Sequence, residues 1–247
     1  MHGVTLMIDS DKLSTSSKIR AFKGTIELMS ELFFTSLEVG NTYVTEPIIL
    51  STALYYALGY ANGNYITIPE GKRKHVKQQP SYVEDTNEIF NKVYITPAKP
   101  LRNIRSVTEN YNARSDDYIQ KSEDMGVNIP QYGARKQIQQ GAQFLFYLLA
   151  FDGFEPNLLP YVRIGKKKCK CLIEWEEVHV KTATGQYHTT HPILSEDINV
   201  KMLGDIIFKR MLPFDIIEQA TFSGGYIKIG DDILPADARF LRRLRKC

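Results

Sequence analysis

The clearest repeat of apolar and polar positions along the chain has a period of two. Within 21–28, Phe22, Gly24, Ile26 and Leu28 fall on one side and Ala21, Lys23, Thr25 and Glu27 on the other, as in a half-buried strand. Residues 168–178 repeat the pattern. Cys169, Cys171, Ile173 and Trp175 oppose Lys168, Lys170, Glu174 and Glu176, which predicts a strand with both thiols turned inward beside the indole. From Ala142 to Phe151 nearly every residue is apolar, as expected of a strand covered on both faces. One segment repeats at three and four instead: Ile49, Leu50, Ala53, Leu54, Ala57 and Leu58 make a single stripe. With Thr45 as cap, Glu46 and Pro47 in the first turn and Gly59 as the stop, it predicts a helix packed on the core. A turn is expected at Gly40-Asn41, and a short strand at Val93–Ile95 ended by Pro97 and Pro100. Val200, Leu203, Ile206, Ile207 and Met211 suit a second helix stopped by Pro213, and Tyr226–Ile229 a strand after a Gly224-Gly225 turn.

Two long polar stretches, 62–92 and 102–140, break this order, the second containing a turn at Pro130–Gly133. Segments of that length without periodicity in a compact chain usually carry function. Strand, helix and strand, then excursions, then more strands, predict an α+β fold with a mainly antiparallel sheet.

Composition narrows the class. The 247 residues, 43% hydrophobic and 24% charged, describe an ordinary folded chain of one or two domains. No apolar run reaches the length of a membrane span. Residues 1–17 lack the joint features of a secretion signal, and three cysteines cannot pair evenly, so a reducing cytoplasmic setting is expected. The 31 Lys and Arg against 28 Asp and Glu leave a formal charge of +3, too small for a uniformly basic nucleic-acid coat. The cations are clustered, however. Arg163, Lys166, Lys167, Lys168 and Lys170 lie in YVRIGKKKCK with no acid among them; Lys72, Arg73, Lys74 and Lys77 form a second group, and Arg239, Arg242, Arg243, Arg245 and Lys246 a third. Small net charge can therefore hide strong local fields.

Reactive constellations are scarce. Cys169-x-Cys171 with His188 and His191 has the wrong spacing for a structural zinc site, and the strand pattern makes both thiols small buried hydrophobes. No nucleophile elbow, zincin or Walker sequence is present, and His179, His188 and His191, candidates for a general base, have no fixed partner. The expectation is no catalytic residue, no metal and no cofactor. What stands out is cation beside glycine beside aromatic. Gly165 would let the backbone approach a phosphate, with Lys166, Lys167 and Lys168 as point charges; Lys168 and Lys170, on one strand face, would track a sugar–phosphate chain. Tyr111 and Tyr132, flanked by Arg114, Arg135 and Lys136, could stack on unpaired bases, and Arg102 and Arg105 add charge nearby. With no recognition-helix pattern, the candidate ligand is single-stranded RNA.

Five segments in order, 32–60, VYITPAKP (93–100), NIPQYGARK (128–136), YVRIGKKKCK (161–170) and ATFSGGYIKIGDDILP (220–235), resemble the small Cas-five-type (Csc-one) subunit of type I-D CRISPR effector complexes, in the RAMP superfamily. The resemblance implies a ferredoxin-like (RRM-like) domain over 18–180 with insertions at about 62–92 and 102–140, the latter a thumb, and a small C-terminal extension over 181–247. It also implies a non-catalytic role: gripping the 5′ handle of the guide RNA and capping the backbone filament beside the large subunit. Guide RNA, a Cas-seven-type backbone subunit and a large Cas-ten-type subunit are then the expected partners, with target DNA near the PAM end as a further contact and no membrane. The residues leave two alternatives open, an endoribonuclease that processes precursor guide RNA and a purely architectural connector.

Overall fold

The computed structural model describes residues 19–62, 80–112, 132–199 and 202–245. In chain order these form β1 (Arg20–Leu28), β2 (Leu37–Val39), β3 (Thr42–Val44), α1 (Ser51–Ala57), α2 (Tyr82–Asp85), β4 (Val93–Ile95), β5 (Lys99–Pro100), β6 (Ser106–Asn112) and β7 (Tyr132–Ile138). There follow β8 (Gln143–Ala150), β9 (Tyr161–Ile164), β10 (Cys169–Val178), β11 (Val180–His188), β12 (Ile193–Leu194), β13 (Met202–Lys209), β14 (Ile216–Ile229) and β15 (Asp232–Pro235).

β1 sits at the centre of the main sheet, in the order β4–β8–β1–β10–β9, with β5 also paired to β8 and every pairing antiparallel. Its alternation has the expected cause: Phe22, Gly24, Ile26 and Leu28 are buried, while Lys23, Thr25 and Glu27 stay partly exposed. Gly24 lies opposite Phe146 on β8 and Trp175 on β10. A Cβ on Gly24 would come within 2.3 Å of the Phe146 ring, so the missing side chain is the room that ring occupies, with Trp175 edge-on to it at 5.2 Å. β8 is buried over seven of its eight residues, as its apolar run predicts.

A second sheet runs β2–β3–β7–β6. The Gly40-Asn41 turn joins β2 to β3, and β3 pairs in parallel with β7, the one parallel pairing among the described strands. The third sheet is built on the long strand β14, which pairs with β11, β12, β13 and β15, all antiparallel. The chain is thus mostly antiparallel sheet with few helices. One contiguous core joins residues of β1, β8, β10, α1 and β14. Among the described residues no helix is long and apolar enough to cross a membrane.

Three expectations need correction. α1 starts at Ser51, after Leu50, with no side-chain cap. The amide and carbonyl of Ile49 are committed to a bridge with Ala98, at 3.1 and 2.7 Å, which keeps the preceding turn extended. Thr45 instead accepts from Phe34 N and donates to Phe34 O, and Glu46 pairs with Lys209. Secondly, 202–209 is a strand, not a helix. Register shifts between β13 and β14 interrupt the period of two, so the apolar spacing imitates a helical stripe; Val200 lies outside the described residues. Thirdly, Gly224 and Gly225 make no turn but run within β14, opposite Gly185 and Thr184. The 62–92 stretch also holds short helical turns at 82–85 and 87–89.

Two buried polar clusters fasten the third sheet and the C-terminal segment to the rest. Asp232 accepts from Lys99 Nζ at 2.5 Å, Tyr147 Oη at 2.9 Å and Thr190 Oγ1 at 3.1 Å, and His191 Nδ1 lies 3.5 Å away. The imidazole is fully buried, with Nε2 at 2.9 Å from both Thr96 Oγ1 and Pro97 O, and its burial pushes its pKa down. This is a packed histidine. In the second cluster the fully buried Asp197 accepts from Tyr94 Oη at 2.9 Å and from Leu241 N at 2.8 Å. Burial pushes the Asp197 carboxyl up to about 7. The unfolded chain, ionising near 3.8, loses this proton first, so the contribution of Asp197 to stability is complete below about pH 4 and is lost as pH rises towards 7. Asp197→Asn should therefore lose less stability than wild type between pH 4 and 7, by a difference on the order of 3 kcal/mol. Urea unfolding at a series of pH values reads this; parallel stability curves for the two proteins would refute it.

Candidate nucleic-acid interface

β9 and β10 form a hairpin at the edge of the main sheet, in register Cys169 to Ile164, leaving Gly165, Lys166, Lys167 and Lys168 as the loop. The turn closes through Lys168 N to Gly165 O at 3.0 Å, and Lys168 adopts a left-handed φ of 53°. Gly165 has φ +81°, and a Cβ there would lie 2.8 Å from the Phe33 carbonyl oxygen and 2.9 Å from Leu32 Cδ1. The close approach that glycine permits is thus to the chain segment between β1 and β2, and it is held by Lys166 N donating to Phe33 O at 2.9 Å. Lys168 belongs to the loop, so it does not share a strand face with Lys170, which is exposed on β10.

The loop forms one wall of a groove of about 900 Å³. Phe34, Ile48, Leu50, Tyr56, Tyr82 and Leu212 give it an apolar floor, and Arg163, Lys166 and Lys168 a cationic rim; among the described residues none that lines it is acidic. Lys166 Nζ donates to Thr35 Oγ1 at 2.7 Å, and Arg163 turns back towards the Lys168 carbonyl. Lys167 leans the other way and pairs with Glu109 of β6 at 2.8 Å. That carboxylate is shared: Arg135 grips it through two nitrogens at 2.9 and 2.7 Å, and Gln137 donates at 2.7 Å. Hydrogen bonds from Arg135 first, then Lys167, hold Glu109 down at about 2.

The sequence-predicted residues therefore divide. Arg163, Gly165, Lys166, Lys167, Lys168 and Lys170 are brought together on one hairpin. Arg135 reaches the same place through Glu109, but its guanidinium is buried and 5.9 Å from the centre of the Phe33 ring, so it is not an outward stacking partner. Lys136 is exposed on β7, and Arg102 and Arg105 are exposed before β6. Backbone register places Tyr111 opposite Gly133 and Tyr132 opposite Asn112, at the far end of the β6–β7 pairing. Arg114, Lys72, Arg73, Lys74, Lys77 and Lys246 lie outside the described residues. Two of the C-terminal arginines serve packing, while Arg242 and Arg243 are exposed. Arg239 covers the Phe151 ring at 3.9 Å, and Arg245 covers Phe90 at 4.3 Å while donating to Val83 O at 3.0 Å. His188 is exposed beside Thr221, and among the described residues no group of three His, Cys, Asp or Glu is placed to hold a metal ion.

Residues that sequence reasoning missed are Glu109, Thr35 and the Phe33 carbonyl. The alternation of Ser106–Asn112 could have flagged Glu109 as an acid on a strand face, but not its partner 58 positions away.

A profile of the family described as type I-D CRISPR-associated protein Cas5/Csc1 matches residues 19–243. No curated protein sequence matches. The crystal structure of a CRISPR protein from Archaeoglobus fulgidus aligns over 87% of this chain and 98% of that chain, at 14% identity and a TM-score of 0.46. A chain of the cryo-EM structure of the Type III-B Cmr-beta bound to cognate target RNA and AMPPnP aligns over 82% of this chain and 85% of that chain, at 11% identity and a TM-score of 0.42. With the family profile running from the start of β1 almost to the last described residue, the chain belongs to the type I-D CRISPR-associated Cas5/Csc1 family.

Proposed function

We propose that this chain is the non-catalytic guide-RNA-binding subunit of a type I-D effector complex, gripping the 5′ handle with the Gly165–Lys168 loop. The observation that carries the reading is the groove wall: Arg163, Lys166 and Lys168 line it over an apolar floor, with no acid among the described residues that line it. Closely spaced cations suit a phosphate chain, and the floor suits unpaired bases. Sequence reading belongs to the guide itself, so such a subunit needs charge and shape more than base-edge contacts. On this reading the main sheet and α1 correspond to the ferredoxin-like domain, and the β6–β7 arms are the base of the thumb. Six large apolar side chains stand exposed on or beside β13 (Met202, Leu203, Ile206, Ile207, Phe208 and Leu212), which suits a subunit with protein neighbours, the Cas-seven-type backbone and the large subunit.

Handle RNA titrated against the full chain over a range of salt concentrations tests this. About five phosphate contacts at roughly −0.7 each predict a log–log slope near −3.5. Alanine at Lys166, Lys167 and Lys168 together should reduce it to about −1.4. Salt-insensitive binding, or an unchanged slope in the triple variant, would remove the loop as the grip. Cleavage of repeat RNA that disappears on substituting His179 or His188 would favour the endoribonuclease instead.

A further inference from the structure

Cys169 and Cys171 take no part in the grip, yet they flank Lys170 at its root. Both are free and buried, at 1% and 0% exposure, and their sulfurs are 3.8 Å apart. Alternate residues of a strand lie about 6.4–6.8 Å apart between Cα atoms, at the upper end of the span a disulfide bridges. The bond can therefore close only by bowing the strand. The β1 register reaches β10 only from Cys171 onward, so at Cys169 and Lys170 the paired strand is β9, which has four residues and is the sheet edge, and the Lys170 carbonyl is held by Met29 N at 2.8 Å. Fraying of so short an edge admits a small oxidant. Cys169 also has the character of an attacking thiol, since its contacts with Cys171 and then Ser30 bring it down to about 6, while Cys171 is pushed up.

We propose that Cys169 and Cys171 are a reversible redox pair whose oxidation by a hydroperoxide loosens the Gly165–Lys168 loop. Its effect on RNA rests on the reading of that loop as the grip. The Cys169 thiolate attacks a peroxide oxygen; the O–O bond breaks, leaving a sulfenic acid and, for hydrogen peroxide, water. The Cys171 sulfur then attacks the Cys169 sulfur, the S–S bond forms as the S–O bond breaks, and the departing hydroxide leaves as water with the Cys171 proton. Two thiols are oxidised and one peroxide is reduced. Drawing the two Cβ atoms to about 4 Å displaces Lys170 from Met29 and from Arg163. The strain makes the bond easy to reduce, so the change is reversible.

The test uses the full chain carrying Cys247→Ser, so that only this pair can react. Hydrogen peroxide should lower the mass by about two units. Trypsin cuts after Lys168 and Lys170, so a Cys169-Lys170 fragment should remain attached to the peptide beginning at Cys171. Amide exchange at Met29 and along β9–β10 should rise, and handle-RNA affinity fall at least about fivefold, both restored by dithiothreitol. Cys171→Ala should instead leave a Cys169 sulfenic acid that dimedone traps; if that variant does not fold, the mass of the oxidised Cys247→Ser chain decides. Retention of two titratable thiols, over-oxidation without a link, or a link with unchanged amide exchange overturns the proposal. A reduced chain that binds no handle RNA overturns the grip reading alone, and the link and exchange data still judge the redox pair.

Discussion

Replacing Asp232 with alanine is expected to cost about 3 kcal/mol of folding stability, read as a lowered urea midpoint at unchanged slope. Removing one partner of a buried ion pair usually costs about 3–5 kcal/mol. The low end applies because the Lys99 side chain keeps 28% exposure and can turn to water, whereas Asp232 keeps 6%. The rest of the loss comes from the hydroxyl of Tyr147, left without its acceptor, whereas Thr190 is exposed and keeps the Asp231 carbonyl. Asp232→Asn keeps acceptor capacity and removes the charge, so it should lose about half as much. The pH dependence has a definite sign. Burial alone would raise the carboxyl, but His191 and Lys99 outweigh it and hold the folded-state value well below the usual one. The stability this contributes is present above the unfolded value of 3.8 and is lost as pH falls further. Asp232→Asn should flatten the acid limb of the stability curve below about pH 4. A loss under about 1 kcal/mol for the alanine variant would show that the cluster does not fasten the third sheet to the first.

Gly165→Ala should have the other large effect, because two penalties fall on one atom. A left-handed φ costs a non-glycine residue about 1–2 kcal/mol. The new Cβ would also sit 2.8 Å from a backbone oxygen, Phe33 O, which cannot rotate away as a side chain could. Overpacking of this kind adds about 1–3 kcal/mol. Relief requires the hairpin to lift off residues 32–35, losing the Lys166–Phe33 hydrogen bond and the shape of the groove wall. Gly141→Ala is the matched control: its φ is also +81°, but nothing lies within 4 Å of its Cβ. Guanidinium unfolding should show the Gly165 variant losing at least about 1 kcal/mol more than the Gly141 variant. Equal losses would mean that the contact with Phe33 is not tight.

How much of this was legible in the sequence depended on whether the cause was local. β1 and β10 follow from alternation, and β8 from its unbroken apolar run, because one or both faces of each are buried in a single core. The start of α1 was not legible: Ile49 looks helical in spacing, but its backbone is taken by Ala98, 49 positions away in the chain. β13 misled for a different reason. Its apolar residues are exposed at the sheet edge, so burial imposes no alternation, and the bulges against β14 remove what remains. The candidate grip was half legible. Its cations form one run, but Glu109, Thr35 and the Phe33 carbonyl reach it only through folding. The arginines of the C-terminus look as basic as the loop lysines, and only the rings of Phe90 and Phe151 reveal that two of them are packing groups.

Glu109 has a consequence for ligand choice. A polyanion arriving at the loop does not meet three bare cations, since Lys167 already holds a carboxylate. To recruit that lysine it must displace the acid, which would fall back on Arg135 and Gln137 and take up a small cation from solution. A lone phosphate or a sparsely charged polymer would lose that exchange. A run of phosphates already seated on Arg163, Lys166 and Lys168 could win it. The resident acid thus sets a threshold, and the loop would act as a filter for closely spaced charge rather than as a generally adhesive surface.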